Sequence, residues 1–131
     1  MAPLAVRSLT GQPERVSPAD AQSVLTTVRA EEERTARQVE SLEGVVASIV
    51  EASELTSTDD EHDPEGATIA YERAQAIALL RQAREDLDAL AVTRMQLEST
   101  QVVTCSVCGR TIDLERIATL PTTNRCIRCA A

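Results

Sequence analysis

The sequence predicts an all-α fold, in which a long antiparallel coiled-coil hairpin carries a small four-cysteine globule at its base. Three observations support this prediction. The 131-residue chain has no Trp or Phe and a single Tyr, so it lacks the large side chains that usually anchor a globular core. Two segments of similar length carry small apolar residues at alternating spacings of three and four, which is typical of a coiled-coil seam. All four cysteines lie in the C-terminal part of the chain.

The first helix is predicted to begin at Ser17, where a serine can cap, Pro18 takes the first helical position and Asp20 meets the positive end of the helix dipole. Residues 1–16 contain two prolines, one glycine and no sustained periodicity, which indicates a flexible leader. We expect the helix to run to about Leu55. Its seam positions are Leu25, Val28, Glu32, Thr35, Val39, Leu42, Val46 and Ile49, of which the polar pair in the middle weakens the seam.

The second helix is predicted to begin at Asp63-Pro64-Glu65, again a cap, a proline and an acid, and to end near Gln101. Its seam positions are Ile69, Ala76, Leu80, Ala83, Leu87, Leu90 and Leu97, with Arg73 and Arg94 as polar interruptions. Tyr71 and Met95 are interpreted as packing residues near the ends of this helix. Each helix would be roughly 50 to 55 Å long. Because only about ten residues join them, they are expected to lie antiparallel.

The cysteines form two C-x2-C pairs, Cys105 with Cys108 and Cys126 with Cys129, separated by seventeen residues. Each pair can place two thiolates on one metal, and the gap allows the second pair to complete a tetrahedron, so the spacing predicts one structural Zn²⁺. The alternative is two disulfides in a secreted protein, for which no signal peptide is apparent. Between the pairs, the segment 113–120 suits a short helix stopped by Pro121. The predicted organisation is therefore a leader at 1–16, a hairpin at 17–101 with its tip at 56–66, and a four-cysteine zinc finger at 102–131.

The charges are unevenly placed along the chain. The 13 basic residues, all arginine, face 21 acidic ones, for a net charge of −8, which argues against general binding to nucleic acid or to an anionic membrane. No apolar run approaches the roughly 18 residues of a membrane span, and we expect a cytoplasmic protein. The segment 51–65 holds seven acids and no arginine. It coincides with the predicted hairpin tip, where a rigid rod could carry carboxylates into a basic or metal-containing cavity of a partner.

The segment Cys105-Ser-Val-Cys-Gly-Arg-Thr-Ile112, continuing through Arg116-Ile117 and Pro121 to Cys126-Ile-Arg-Cys129, resembles the zinc finger of the DksA/TraR family of RNA polymerase regulators. With the hairpin, the resemblance covers roughly residues 18–130; it is specific in the finger and architectural elsewhere. It implies a bacterial transcription regulator that binds RNA polymerase, inserts its hairpin through the secondary channel and alters promoter complexes without sequence-specific DNA binding. It also implies that the tip carboxylates contact the polymerase. These are Asp60, Asp63 and Glu65, supported by Asp59 and Glu61.

The sequence departs from the family's usual pattern in several places. The common tip motif is D-x-x-D-x-A; if Asp63 is aligned with its first Asp, Gly66 takes the second, and if Asp60 and Asp63 are the pair, Glu65 replaces the Ala. Leu120 stands where an Arg often precedes the proline, and the chain has no Lys, so dependence on the alarmone ppGpp is doubtful. The C-terminal helix of longer members is absent, which would alter docking at the polymerase.

Two other functions remain open from the sequence. One is a Gre-like stimulator of transcript cleavage, whose tip acids would help hold a second Mg²⁺ in the polymerase; Gre factors, however, build their globule without such a metal array. The other is a general zinc-ribbon module for protein interaction or redox sensing. A closed shell of four thiolates leaves no open position for catalysis, so no intrinsic enzyme activity is expected.

Overall fold

The computed structural model describes residues 17–55 and 64–130, except for the side chains of residues 64 and 65. Two long helices make up most of the described chain, α1 at Pro18–Leu55 and α2 at Pro64–Thr100. A small C-terminal unit follows, with strand β1 at Val103–Thr104, strand β2 at Thr111–Ile112 and helix α3 at Leu114–Thr119. The predicted helical hairpin is confirmed. The two-stranded β1–β2 pair was not anticipated.

The helices are antiparallel, and ion pairs between them fix their register. The paired residues and N–O distances are Arg29–Glu98 at 2.9 Å, Glu32–Arg94 at 2.7 Å and Glu43–Arg84 at 2.8 Å. From the first pair to the last, the residue number rises by 14 in α1 and falls by 14 in α2. The two helices therefore run side by side without a slip in register.

Burial along the hairpin is graded. Next to the C-terminal unit the seam is fully covered, with Val28 and Leu90 at 0% exposure and Leu97 at 2%. Over residues 36–55 no side chain of α1 is fully buried, and Val39, Leu42, Val46 and Ile49 are only partly buried. The buried side chains of the distal hairpin thus belong to α2, namely Ala76, Leu80 and Ala83.

Two of the polar interruptions predicted in the seam, Glu32 and Arg94, face each other, whereas Arg73 is exposed. Arg94 of α2 donates to Glu32 of α1 and, at 3.1 Å, to Glu98 one turn further along its own helix. Glu32 and Arg94 are about three-quarters covered, and the hydroxyl residues Thr35 and Thr93 are buried beside this level of the seam at 6% and 3% exposure. A polar layer of this kind favours one register over its neighbours, because a shifted register would leave these charges unpaired.

The interpretation of Tyr71 and Met95 as packing residues is wrong, because they are 69% and 57% exposed. Both residues lie off the three-and-four spacing that brings Ala76, Leu90 and Leu97 into the seam, so they project outwards from α2.

The hairpin and the C-terminal unit share one hydrophobic core. It contains residues of α1, α2 and the segment after them, namely Val24, Leu25, Val28, Leu90, Leu97, Val103, Cys105, Ile112, Ile117 and Cys126. The first helix therefore packs on the cysteine-bearing unit, while the predicted leader at 1–16 lies outside the described residues. Neither α1 nor α2, nor any other helix of the described ranges, is long and apolar enough to cross a membrane.

Candidate metal centre

A β-hairpin and a tight turn position the first cysteine pair. β1 pairs with β2 in antiparallel register, with Val103 opposite Ile112. Inside this pairing, the backbone N–H of Cys105 donates to the carbonyl of Arg110 at 2.7 Å, and that of Gly109 donates to the carbonyl of Cys105 at 3.0 Å. Gly109 adopts a φ of +72°, a conformation that glycine accepts without strain. We call this turn, residues 105–110, the first knuckle.

The second cysteine pair lies on a second knuckle, residues 124–129, which hydrogen bonds hold to the rest of the finger. The backbone N–H of Ser106 donates to the carbonyl of Asn124 at 2.8 Å, which joins the two knuckles. From α3, Arg116 Nε donates to the carbonyl of Arg125 at 3.0 Å. This contact supports the residue immediately before Cys126, and it gives Arg116 a structural role that the sequence did not reveal.

The four sulfur atoms converge on one point. All of them lie within 4.8 Å of one another, and Cys108 Sγ and Cys126 Sγ are 3.7 Å apart. None of the four cysteines is in a disulfide, so the pairing expected of a secreted protein is absent. Four sulfurs at about 2.3 Å from a tetrahedral zinc stand about 3.8 Å apart. The soft donor set and its spacing therefore fit one structural Zn²⁺.

The local electrostatics favour thiolates in one part of the cluster. Hydrogen bonds from backbone groups, first of Cys108 and then of Cys126, lower the pKa of Cys105 to about 6. The Cys129 thiol hydrogen-bonds to the Cys126 sulfur, and this contact, with burial, raises the pKa of Cys129 to about 12. The backbone thus stabilises negative charge at Cys105, but four thiolates this close repel one another. A divalent cation removes that repulsion, so its binding releases protons from the thiols.

The joint between α2 and the finger depends on residues that carry no obvious signal in the sequence. Gln101 ends α2 with a φ of +62°, an unusual conformation for a residue other than glycine, and its N–H still donates to the carbonyl of Leu97. Gln96 reaches across the bend, and its Oε1 accepts from the backbone N–H of Thr104 at 3.1 Å. A side chain of the hairpin thus satisfies a backbone donor of β1 and fixes the finger on the end of α2.

The structure does not describe the side chains of the acidic residues predicted at the tip. Asp59, Asp60, Glu61 and Asp63 lie outside the described residues, and Glu65 lies in the first turn of α2, where its side chain is not described. Their arrangement therefore stays a prediction.

Comparison with known proteins supports both parts of the architecture. Residues 99–131 match the prokaryotic dksA/traR C4-type zinc finger. The whole fold is similar to that of transcription factor DksA2 from Pseudomonas aeruginosa, with a TM-score of 0.66 at 18% sequence identity, over 89% of this chain and 86% of that one. No curated protein sequence matches the chain significantly.

At that identity the structural similarity bears on the fold alone, whereas the finger match bears on the sequence of the metal centre itself. The two findings concern different properties and agree. Residues 99–131 are thus similar in sequence to the dksA/traR C4-type zinc finger, and the fold that carries them is similar to that of DksA2.

Proposed function

We propose that this protein is a DksA-type transcription regulator that binds RNA polymerase, inserts its hairpin into the secondary channel and modulates promoter complexes through acidic tip residues. The observation that carries the proposal is the joining of a zinc-finger base to a long hairpin in a fixed antiparallel register. Neither part alone would be specific, because zinc fingers and coiled coils both occur in many classes of protein.

The dimensions and charge of the hairpin support insertion into a narrow channel. α1 has 38 residues, which corresponds to a length of about 57 Å. The distal end of α1 carries the exposed carboxylates Glu51 and Glu54, which begin the acidic stretch that ends at Glu65. A rod of this length can deliver carboxylates to a basic or metal-bearing surface far from its base, and long-range attraction would guide its entry.

In this proposal the metal centre serves as scaffolding. Cys105, Cys108, Cys126 and Cys129 would hold one zinc in a closed shell that leaves no position for a substrate. The zinc would keep the two knuckles and α3 together, and these in turn hold the proximal hairpin through Ile112, Ile117 and Val28. We accordingly propose no catalytic activity for the protein itself, and a cytoplasmic location beside the polymerase.

The proposal is tested by co-purification with RNA polymerase and by transcription from purified promoter complexes. The variant D60N/D63N/E65Q neutralises the proposed tip, while E33Q removes an exposed carboxylate of α1 outside the acidic stretch 51–65 and is the control. We expect both proteins to bind the polymerase, and only the tip variant to lose its effect on promoter-complex lifetime.

Two results would contradict the proposal. If the zinc-loaded wild-type protein did not bind RNA polymerase, the polymerase would not be its partner. If both variants bound the polymerase and both kept their effect on promoter complexes, the tip carboxylates would not be needed for that effect. A parallel assay on backtracked complexes separates this function from transcript cleavage, since a Gre-like factor would shorten the RNA and lose that activity in the tip variant.

A further inference from the structure

Gly44 lies in the interior of α1, and packing does not explain its presence there. A Cβ built on Gly44 would meet no atom of the described residues within 4 Å, and its φ lies outside the left-handed range that glycine alone favours. Alanine would therefore fit, and it would favour the helix. The missing side chain leaves the backbone of α1 unusually free at this point.

The contacts between the two helices are also weak at the level of Gly44. Gly44 itself is exposed, between the seam positions Leu42 and Val46. The neighbouring Glu43 pairs with Arg84, which places Ala83, a small residue at 3% exposure, at this level of the seam. The Glu43–Arg84 pair itself is half exposed, at 49% and 56%, and such surface pairs restrain the helices only weakly. The ion pair at this level therefore restrains bending only weakly.

The two sides of Gly44 differ in how firmly they are held. Towards the finger, Val28 and Leu90 are completely buried, and Arg94 holds both Glu32 and Glu98. From residue 36, about two turns before Gly44, to Leu55, α1 has no buried side chain. Sparse burial of this kind marks the segments of a protein that open most easily.

We propose that Gly44 is a hinge, about which the distal hairpin bends as a unit against the finger-anchored proximal part. The difference in helix propensity between glycine and alanine corresponds to roughly a fivefold change in a local opening equilibrium. α2 has no glycine between Ala67 and Thr100, so it stays helical and curves gently while α1 opens. The hinge is a property of the free protein. Its use, to let the tip adjust its direction inside a channel, rests on the proposed function.

The test measures how broadly the distance across the hinge is distributed. Spin labels are attached to a ketone-bearing amino acid introduced at Gln22 and Glu51, both exposed residues of α1, which spares the zinc cysteines. The 29 residues between them span about 43 Å in a straight helix, within the range of double electron–electron resonance. We expect a broad distribution in the otherwise unchanged protein and one about twofold narrower in G44A.

A matched control tests whether the position of the glycine in α1 matters, or only the presence of one glycine. Ala36 is exposed beside the buried Thr35, so G44A/A36G keeps one glycine in α1 but moves it next to the well-packed proximal seam. The distribution should stay narrow in this variant. A distribution as broad as that of the parent, or a parent as narrow as G44A, would overturn the hinge. Because no polymerase is present, such a result would leave the proposed function standing.

Discussion

Single residues decide whether the finger can hold its metal, and not all of them are cysteines. Arg116 contacts no sulfur, yet it donates to the carbonyl of Arg125 and so supports the second knuckle from α3. The same carbonyl accepts from the hydroxyl of Thr123. The backbone that presents Cys126 is therefore held from two sides, and its geometry depends on a residue ten positions earlier in the chain.

Replacing Arg116 with alanine should weaken zinc binding by about tenfold, the lower end of the range for groups that support a metal ligand. The control is R110A, because Arg110 is exposed and only its backbone contributes to the first knuckle. Competition with a coloured chelator measures both affinities. Equal affinities in the two variants would show that the Arg116 side chain does not support the site.

The shared core predicts a sharp contrast between two leucines of the same helix. Leu90 is completely buried against α1 and the finger, whereas Leu79 is 51% exposed. L90A should lower the free energy of unfolding by roughly 2 to 5 kcal/mol, as for other buried leucines. L79A should change it by less than about 0.5 kcal/mol. Urea unfolding of the zinc-loaded proteins measures both, and similar losses would place the core elsewhere.

At the scale of elements, the hairpin was predictable because its signals are local. The prolines at the helix starts and the three-and-four spacing act within one or two turns, and α1 and α2 follow them. The Arg94–Glu32 pair was not predictable, since both residues were visible only as polar interruptions and their meeting depends on the register. The Gln96–Thr104 contact joins two elements, and no spacing rule describes it. The cysteines were predictable because metal chemistry restricts their spacing.

Glu98 should make the pairing of the helices depend on pH. The hydrogen bond from Arg29, followed by the positive charge of Arg94, lowers the pKa of Glu98 below its ordinary value of 4.5. A carboxyl with a lowered pKa stabilises the folded state above its unfolded pKa, and this contribution is lost as the pH falls through the folded pKa. E98Q should therefore melt at a lower temperature than the wild type at neutral pH. This gap between the two melting temperatures should close below pH 4.5.

Melting curves of the zinc-loaded proteins between pH 7 and pH 3.5 provide the measurement. Acid also releases zinc, but it does so in both proteins, so the difference between them isolates Glu98. E33Q removes an exposed carboxylate of α1 that has no ion pair among the described residues, and it should shift the melting temperature little. A gap that stays constant as the pH falls would show that the charge of Glu98 does not couple the helices.

At the scale of the whole molecule, the metal centre and the proximal end of the hairpin form one folding unit. The distal end of the hairpin lies outside that unit. Val24, Leu25 and Val28 of α1 lie in the same core as Ile112, Ile117 and two of the cysteines. Among the described residues, the distal half of α1 adds no side chain to this core, and the Glu43–Arg84 pair joins it to α2. Loss of the finger therefore removes support from the proximal hairpin first.

Removing zinc with a chelator should unfold the molecule from its finger end. Hydrogen exchange of the reduced protein, followed by mass spectrometry, should show protection lost in 103–129 and strongly reduced in 21–28, because Ile117 and Ile112 no longer cover α1. Peptides from 76–87 should change least, since their partners lie in the distal part of α1. Zinc added back should restore protection in the same segments, which controls for damage by the chelator. Equal loss along the whole hairpin, or earliest loss at its distal half, would contradict the coupling of proximal hairpin and finger.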